Sequence, residues 1–227
     1  MNQDLLSTSR QDLQDPRSQS YTNINFNIIP IHNKMVSLTI LISLLLFHVA
    51  RGLQSTTVPP LLDVPTYSLS TVDENGKTGM NILTYASPVS IQPNRIWCIG
   101  LFKGTVAHEN FSKAGGGVLQ LLAPEHYSIV KILGGFSGRN INKEEECSIL
   151  GFKWFSCDKT KSKLLPGCSY YLKLKMTEHG MIDCGNHDVV LCLVEEMFVP
   201  DNDHHQYLNT EKLRDLGIIT NQGKVAE

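Results

Sequence analysis

The sequence predicts a mainly β fold with short helices, arranged as a closed or partly closed β-barrel. Several short segments either alternate apolar and polar residues or are apolar throughout, as strands are. The dipeptide Asn75-Gly76 between two of these segments provides the positive φ angles that a hairpin turn needs. Strands and helices do not alternate regularly, and no Gly-x-Gly-x-x-Gly follows a strand, so a doubly wound parallel sheet is not expected.

The individual elements follow from local pattern. The segment 95–102 is almost continuously apolar, which suits a strand buried on both faces. The segment 80–91 is rich in Thr, Tyr, Val and Ile and is interrupted at Ser87-Pro88. Glycines follow two of the helical segments and are expected to end them. The predicted strands are 67–72, 80–91, 95–102, 118–122, 151–155, 168–176 and 188–199, and the predicted helices are 106–113, 125–133 and 210–216.

Composition excludes several classes of protein. The 227 residues are 41% hydrophobic and 19% charged, with 20 Lys and Arg against 22 Asp and Glu. This is the composition of a globular domain and not that of a wholly disordered chain, a collagen-like repeat or a multi-span membrane protein. The near-neutral charge gives no electrostatic reason to expect a nucleic-acid partner.

The first 63 residues are expected to lie outside the barrel. Residues 1–34 are polar and predict a disordered N-terminal extension, and 53–63 read as a linker. Residues 35–52 resemble a signal peptide. The apolar run 36–50 is shorter than the roughly 20 residues that a membrane-spanning helix needs. Small residues also precede a predicted cleavage site after Gly52. A short buried or membrane-associated helix is the alternative for this run.

The signal-like segment leads to an expectation about location. It starts at Met35, so we expect translation to start there, with residues 1–34 contributed by an upstream start. The protein would then enter the secretory pathway, or a plastid-type organelle through a bipartite signal, with no stable membrane association after the signal is removed. The remaining boundaries predict a barrel domain over 64–200 and a C-terminal tail over 201–227.

Four short segments could carry chemistry. The segment 81–90 places hydroxyl groups and one amide on a strand broken by proline, where freed backbone groups can bind the polar edge of a flat ring. Lys103-Gly104-Thr105 ends a strand before a helix, a position that favours an anion. A glycine-rich loop carries one cation, Arg139, and His187 begins a buried strand after a turn.

In this order the segments resemble the flavin reductase-like family with its FMN-binding split barrel. The resemblance covers about residues 64–200 and implies a homodimer that binds FMN near the subunit interface. Many members of that family pass hydride from NAD(P)H to flavin, and others hold FMN as non-catalytic binding proteins or electron carriers. The residues that carry it are Asn75-Gly76, Gly79-Met80-Asn81, Thr84 to Ser90, Pro93, Lys103-Gly104-Thr105, Phe136-Ser137-Gly138 and Gly185 to Val189.

The resemblance assigns roles to individual residues. It implies that Thr84, Tyr85, Ala86 and Ser87 lie against the isoalloxazine ring, and that His187 is the catalytic residue, beside the flavin and nicotinamide. It further implies that the phosphate is held by the short loop Lys103-Gly104-Thr105. The remaining cofactor-binding residues on this basis are Asn81, Lys103, Gly104, Thr105 and Arg139, with Arg139 contacting phosphate or nucleotide.

Each segment also has a purely structural interpretation. Thr84, Tyr85 and Ser87 taken alone suit the hydroxyl face of a strand, Lys103 to Thr105 suits an ordinary turn, and His187 suits a hydrogen-bonded structural histidine. A secreted, disulfide-bonded barrel without a cofactor is therefore a third hypothesis beside the reductase and the carrier. Its disulfide candidates, whose pairing the sequence leaves open, are Cys147, Cys157, Cys168 and Cys184.

The sequence also contains a Cys and His set and a glycosylation motif. Cys168, Cys184, His187 and Cys192 lack the paired Cys-x-x-Cys spacing of a zinc site, so no metal is predicted. The segment 110–112 is an N-glycosylation sequon on the predicted phosphate-side helix, where a glycan would interfere. This position favours a final compartment without glycosylation.

Overall fold

The computed structural model describes residues 55–200 and 206–226. The predicted N-terminal extension, the signal-like segment and the start of the linker lie outside the described residues, as do residues 201–205. Within the described part, no helix has the length and apolar character needed to cross a membrane.

Seven strands form one antiparallel sheet, which confirms the mainly β prediction. Their order is β2-β1-β5-β6-β7-β4-β3. The strands are β1 (Tyr67–Val72), β2 (Thr78–Leu83), β3 (Ala86–Ser90), β4 (Ile96–Phe102), β5 (Gly116–Leu121), β6 (Tyr170–Asp183) and β7 (His187–Phe198).

The sheet is rolled into a split barrel. Its two end strands, β2 and β3, are consecutive in the chain, and only Thr84 and Tyr85 join Leu83 to Ala86. Three Cα–Cα steps span at most about 11 Å, so the two ends of a seven-stranded sheet must approach each other. They are not paired in the sheet, and this gap is the split.

The opening hairpin follows the Asn-Gly prediction. The Asp73 carboxylate accepts hydrogen bonds from the amides of Asn75 at 2.9 Å and Lys77 at 2.8 Å, which closes the turn between β1 and β2. Gly76 has a φ of 78°, a left-handed conformation that strains residues with a Cβ.

Among the described residues, four α-helices and one 3₁₀ segment accompany the sheet. Helix α1 is capped at its start by the Thr105 hydroxyl and at its end by Gly115, whose φ is 68°. The predicted helix 125–133 is divided into a 3₁₀ segment and a separate α-helix. The elements are α1 (Val106–Ala114), the 3₁₀ segment Pro124–Ile129, α2 (Val130–Gly135), α3 (Lys143–Ile149) and α4 (Thr210–Asp215).

The structure corrects the predicted break in 80–91. The chain leaves the ladder at Thr84 and Tyr85, while Ser87 and Pro88 lie within β3 opposite Cys98 and Trp97. Because β3 is an edge strand, a proline without an N–H group is tolerated there, and a register shift follows it.

Two other segments also differ from prediction. Residues 151–155 form no strand; Phe155 makes one isolated bridge to Leu164, and Trp154 is buried in the core. Helix α3 was missed, because its run of glutamates shows little apolar periodicity. Strand β6 extends to Asp183, well past the predicted end at 176, because it pairs with β7 as far as Asp188.

The core consists of two apolar clusters, one on each side of the rolled sheet's strands. The described C-terminal residues take part in the first cluster, where Leu208, Leu213 and Ile219 are at most 7% exposed. The second cluster contains Leu69, Ile99 and Leu119 and supports the strands that carry the candidate site.

Candidate functional site

An open cavity of about 530 Å³ lies where the link between β2 and β3 passes over β4 and the start of β7. We call this cavity the slot. Its volume is within the range usual for small-molecule sites. It is lined by Thr84, Tyr85, Ala86, Ser87, Cys98, Gly100, Asn186, His187 and Val189.

The slot exists because the link lies close against β4. The amide of Gly100 donates a hydrogen bond to the carbonyl oxygen of Tyr85 at 2.8 Å. A Cβ on Gly100 would lie 3.0 Å from the Cβ of Tyr85, so a larger residue would push the link away. Gly100 is therefore a glycine because the backbone of the link must pass directly above it.

The four residues assigned to the ring are brought together here. Thr84 and Tyr85 make the crossing, and Ala86 and Ser87 begin β3. The side-chain hydroxyls of Thr84 and Tyr85 make no hydrogen bond to another described residue, and Tyr85 is 62% exposed. These groups are therefore available to the polar edge of a flat ligand, beside the apolar surface of Ala86 and Val189.

His187 stands at the end of the slot between two aromatic rings. Its ring centroid is 5.2 Å from that of Tyr85 and 5.2 Å from that of Phe102, both edge-on. Its Nδ1 is 2.8 Å from Oδ1 of Asn186, which can only accept, so Nδ1 carries the proton and Nε2 is the acceptor. Partial burial lowers the pKa of His187, which favours this neutral form.

Lys103 lies beside the slot, because its amide bonds to the carbonyl of Asn186 at 3.0 Å. Its ammonium group is 2.7 Å from Oδ1 of Asp183 and 3.2 Å from Oδ1 of Asp188. The hydrogen bond to Asp183 is the main cause that raises the pKa of Lys103, and the same bond lowers the pKa of Asp183. Asp188 also bonds to Nε2 of His108 at 2.7 Å, the main cause that lowers its own pKa.

The other residues assigned to the phosphate lie in the same corner. Gly104 has a φ of 79° and lets the chain turn from β4 into α1. The Thr105 hydroxyl donates to the carbonyl of Phe102 at 3.0 Å and accepts from the amide of His108 at 3.2 Å. Arg139 donates through Nη1 to the carbonyl of Gly104 at 3.0 Å and pairs through Nη2 with Glu109.

Sequence reasoning also missed some residues of the site. Cys98 and Gly100 are hidden in the apolar run of β4, and only their alternation along the strand indicates that they share a face. Asn186 and Val189 lie in the motif Gly185 to Val189 that carries the resemblance, but the sequence assigned them no role of their own. Asn81 lies on β2 opposite Leu69 and does not line the slot.

The cysteines have no pairing or ligand role in this structure. All six are free thiols, and burial raises the pKa of Cys192 to about 12. Among the residues that the structure describes, no three His, Cys, Asp or Glu side chains form a group that could hold a metal ion.

Comparison with known proteins gives one family and several similar folds. A family model for the flavin reductase like domain matches residues 62–217. Flavoredoxin from Methanosarcina acetivorans is similar in structure, with a TM-score of 0.56 and 15% identity over 78% of this chain and 82% of that chain. A search of curated proteins found no match.

Two further solved structures have the same fold. An FMN-binding protein from Thermus thermophilus with bound p-hydroxybenzaldehyde has a TM-score of 0.54 and 15% identity, over 66% of this chain and 82% of that chain. A Streptomyces globisporus NADH:FAD oxidoreductase in complex with NAD and FAD fragments has a TM-score of 0.52 and 12% identity, over 61% and 76% respectively. At such identities the likeness shows the fold alone.

Proposed function

Because this chain belongs to the flavin reductase-like family, we propose that its slot binds the isoalloxazine ring of a flavin and that the protein is an NAD(P)H-dependent flavin oxidoreductase. FMN is the flavin that the family resemblance implies. The observation that carries the proposal is the convergence of Thr84 to Ser87 with His187 on one open cavity. These residues are about a hundred positions apart in the sequence.

The residues of the slot fit a flat ring with a polar edge. Gly100 leaves the floor without a side chain, and Val189 and Ala86 add apolar contact. The unpartnered hydroxyls of Thr84 and Tyr85 can donate to the carbonyl oxygens and ring nitrogens of a flavin. Donors at that edge favour the reduced anionic ring and raise its reduction potential.

The chemistry of hydride transfer belongs to the cofactor: when bound, a flavin would supply the hydride-accepting N5 and a reduced nicotinamide would supply the hydride from C4. The residues that line the slot would hold the flavin ring, and His187 at the end of the slot would hold the nicotinamide beside it. His187 presents Nε2 as an acceptor, which suits the amide N–H of a nicotinamide carboxamide. Tyr85 and Phe102 hold the imidazole edge-on, so its orientation is set before a ligand arrives.

We also propose that the protein works as a homodimer. Large apolar side chains are exposed on β3, β4 and β6 and on the residues next to β3, among them Tyr85, Val89 at 56%, Ile91 at 74%, Phe102 at 51% and Ile182 at 49%. Exposed apolar side chains near an open cavity favour an interaction surface. A second copy that covers it would close the slot.

Sedimentation equilibrium tests the dimer. We expect the wild-type chain to be dimeric and Ile91→Lys to be monomeric, because a buried charge opposes association. Ile149→Lys is the matched control, since Ile149 is 73% exposed but lies on α3. A monomeric wild-type protein would contradict this proposal.

A buried asparagine supports delivery to a compartment without N-glycosylation. Asn110, the acceptor of the sequon, is 7% exposed, and its amide nitrogen donates to the Thr71 hydroxyl at 3.4 Å. A glycan on that nitrogen is incompatible with the folded helix α1. We therefore propose that the signal-like segment leads to an organelle of this kind, and N-terminal sequencing with a glycosidase mobility test of protein from its native cells would check both points.

Anaerobic reduction tests the catalytic proposal. The purified protein is mixed with FMN and then with NADPH or NADH, and the visible flavin absorption is followed. Bleaching much faster than in protein-free solution identifies a reductase. Tight binding without bleaching by either nucleotide would contradict the reductase proposal and identify a flavin-binding or electron-carrier protein. Absence of any flavin binding would contradict the assignment of the slot.

A further inference from the structure

The corner beside the slot holds every side chain expected to bind the flavin phosphate, but those side chains are already engaged. We call the group formed by Lys103, Thr105, Arg139 and their partners the anion corner. We infer that the slot recognises a flavin by its ring and gives the terminal phosphate no anchor, so that riboflavin binds as well as FMN. This inference rests on the proposed function.

Lys103 is held by two carboxylates. Its ammonium group contacts Asp183 at 2.7 Å and Asp188 at 3.2 Å, and its side chain is 33% exposed. Two of the three ammonium donors are used in this way, and a phosphate that took the third would lie close to both carboxylates. The lysine is therefore a support for the turn between β6 and β7 and not a free phosphate ligand.

Thr105 and Arg139 are engaged in the same way. A hydroxyl has one proton to donate, and that of Thr105 is given to the carbonyl of Phe102. Arg139 divides its guanidinium between the carbonyl of Gly104 and the carboxylate of Glu109. These contacts use two of the five N–H donors of Arg139, so a phosphate bound to this residue would share the guanidinium with the carboxylate of Glu109.

The charge of the anion corner is also unfavourable. Two cations, Lys103 and Arg139, face three carboxylates, those of Asp183, Asp188 and Glu109. His108, bonded to Asp188, adds a positive charge only when it is protonated. A phosphate monoester carries about −1.5 to −2 charges at pH 7, so the corner as a whole does not attract it.

Backbone groups do not reverse this balance. The cap on α1 uses the amide of His108, and the amide of Glu109 bonds to the carbonyl of Thr105. Within residues 103–109, the amides of Gly104, Thr105, Val106 and Ala107 at the helix start donate to no described residue, so four neutral donors remain. The helix dipole places about half a positive charge there, which the excess carboxylate offsets.

The inference predicts a ratio of affinities. A dedicated anchor with two charge-assisted hydrogen bonds would favour FMN over riboflavin by about a hundredfold or more. We expect the two dissociation constants to agree within about threefold at moderate salt. The ring and ribityl chain, which the two flavins share, would then account for nearly all of the affinity.

Titration of the full-length protein with riboflavin and with FMN, followed by quenching of flavin fluorescence, tests the inference. If neither flavin binds, the proposed function fails. If both bind and FMN binds more than about thirtyfold tighter, the proposed function stands and the inference is overturned. Equal binding of the two supports both.

A variant at Asp183 tests whether the carboxylates around Lys103 cause the equal binding of the two flavins. Asp183→Asn removes one carboxylate from Lys103 but keeps an oxygen for the amide of Gly185, which Asp183 accepts at 2.8 Å. We expect the variant to bind FMN about three- to tenfold tighter than riboflavin. Asp158→Asn, the same change at an exposed loop position, should leave the ratio at its wild-type value. A ratio near one in Asp183→Asn would overturn the assignment of the effect to this corner.

Discussion

Lys143 gives a quantitative test of the packing that supports the barrel near its split. This lysine at the start of α3 is 8% exposed. Its ammonium group donates to the carbonyl of Leu133, at 2.5 Å, and to the carbonyl of Met80, at 3.2 Å. It thus ties α3 to the end of α2 and to edge strand β2. Burial lowers its pKa from 10.5 to about 8.

The direction of the pH effect follows from this shift. Below pH 8 the lysine is charged in both states, and the folded state carries the full cost of burying the charge. Between pH 8 and 10.5 the folded protein releases the proton while the unfolded chain keeps it, so stability rises with pH. The pKa difference corresponds to about 3 kcal/mol, of which about 2.5 kcal/mol is gained between pH 7 and pH 10.

Urea unfolding at pH 7 and pH 10, followed by the fluorescence of buried Trp154, measures this effect. Other groups titrate over the same pH range, so the informative quantity is the unfolding free energy of the wild type minus that of Lys143→Met at each pH. We expect that difference in unfolding free energy to change by about 2.5 kcal/mol in favour of the wild type as pH rises. Lys131→Met, at an exposed lysine of α2, should change its unfolding free energy with pH by the same amount as the wild type. The same pH dependence in Lys143→Met as in the wild type would refute the reasoning.

Two further predictions concern residues around the slot. Asn186→Ala removes the acceptor that fixes the Nδ1 proton of His187. We therefore expect the pH profile of NAD(P)H oxidation to change, while the affinity for flavin stays within about threefold of the wild-type value. An unaltered pH profile would contradict the positioning role of Asn186. Thr105→Val removes the cap of α1 and should lower the unfolding free energy by about 1 kcal/mol without weakening flavin binding. A large loss of affinity for FMN but not for riboflavin would instead identify Thr105 as a phosphate ligand.

Local pattern was sufficient to predict most of the sheet. Strand β1 matches its prediction residue for residue, because alternating residues and an Asn-Gly turn are complete local signals. Helix α1 was predicted to within one residue, because its glycine stop lies next to it in sequence. Helix α3 was missed, because its glutamates face solvent and Cys147 is its main buried apolar contact.

The passage of the chain from end strand β2 to end strand β3 through Thr84 and Tyr85 could not be predicted from local pattern. Thr84 and Tyr85 look like strand residues, and their departure from the ladder depends on how seven strands are ordered. Gly100, sixteen positions after Thr84, makes the crossing possible, and no local signal connects the two.

The anion corner shows the same limit for function. Lys103, Gly104, Thr105 and Arg139 lie together beside the slot. Their partners come from distant segments, however, such as the turn after β6, and a residue type in a familiar motif does not reveal what neutralises it.

The central claim is that the slot under the Thr84–Tyr85 crossing is the flavin site, and flavin titration of Gly100→Ala tests it most directly. The new Cβ would lie 3.0 Å from the Cβ of Tyr85 and displace the crossing. Gly138→Ala is the matched control, because its Cβ would meet nothing nearer than 3.8 Å. Thermal unfolding of both variants shows whether they remain folded.

We predict that wild type and Gly138→Ala quench flavin fluorescence with equal affinity, and that folded Gly100→Ala binds at least about tenfold more weakly. Equal affinity of Gly100→Ala and wild type would contradict the account, because flavin would then be bound elsewhere on the protein.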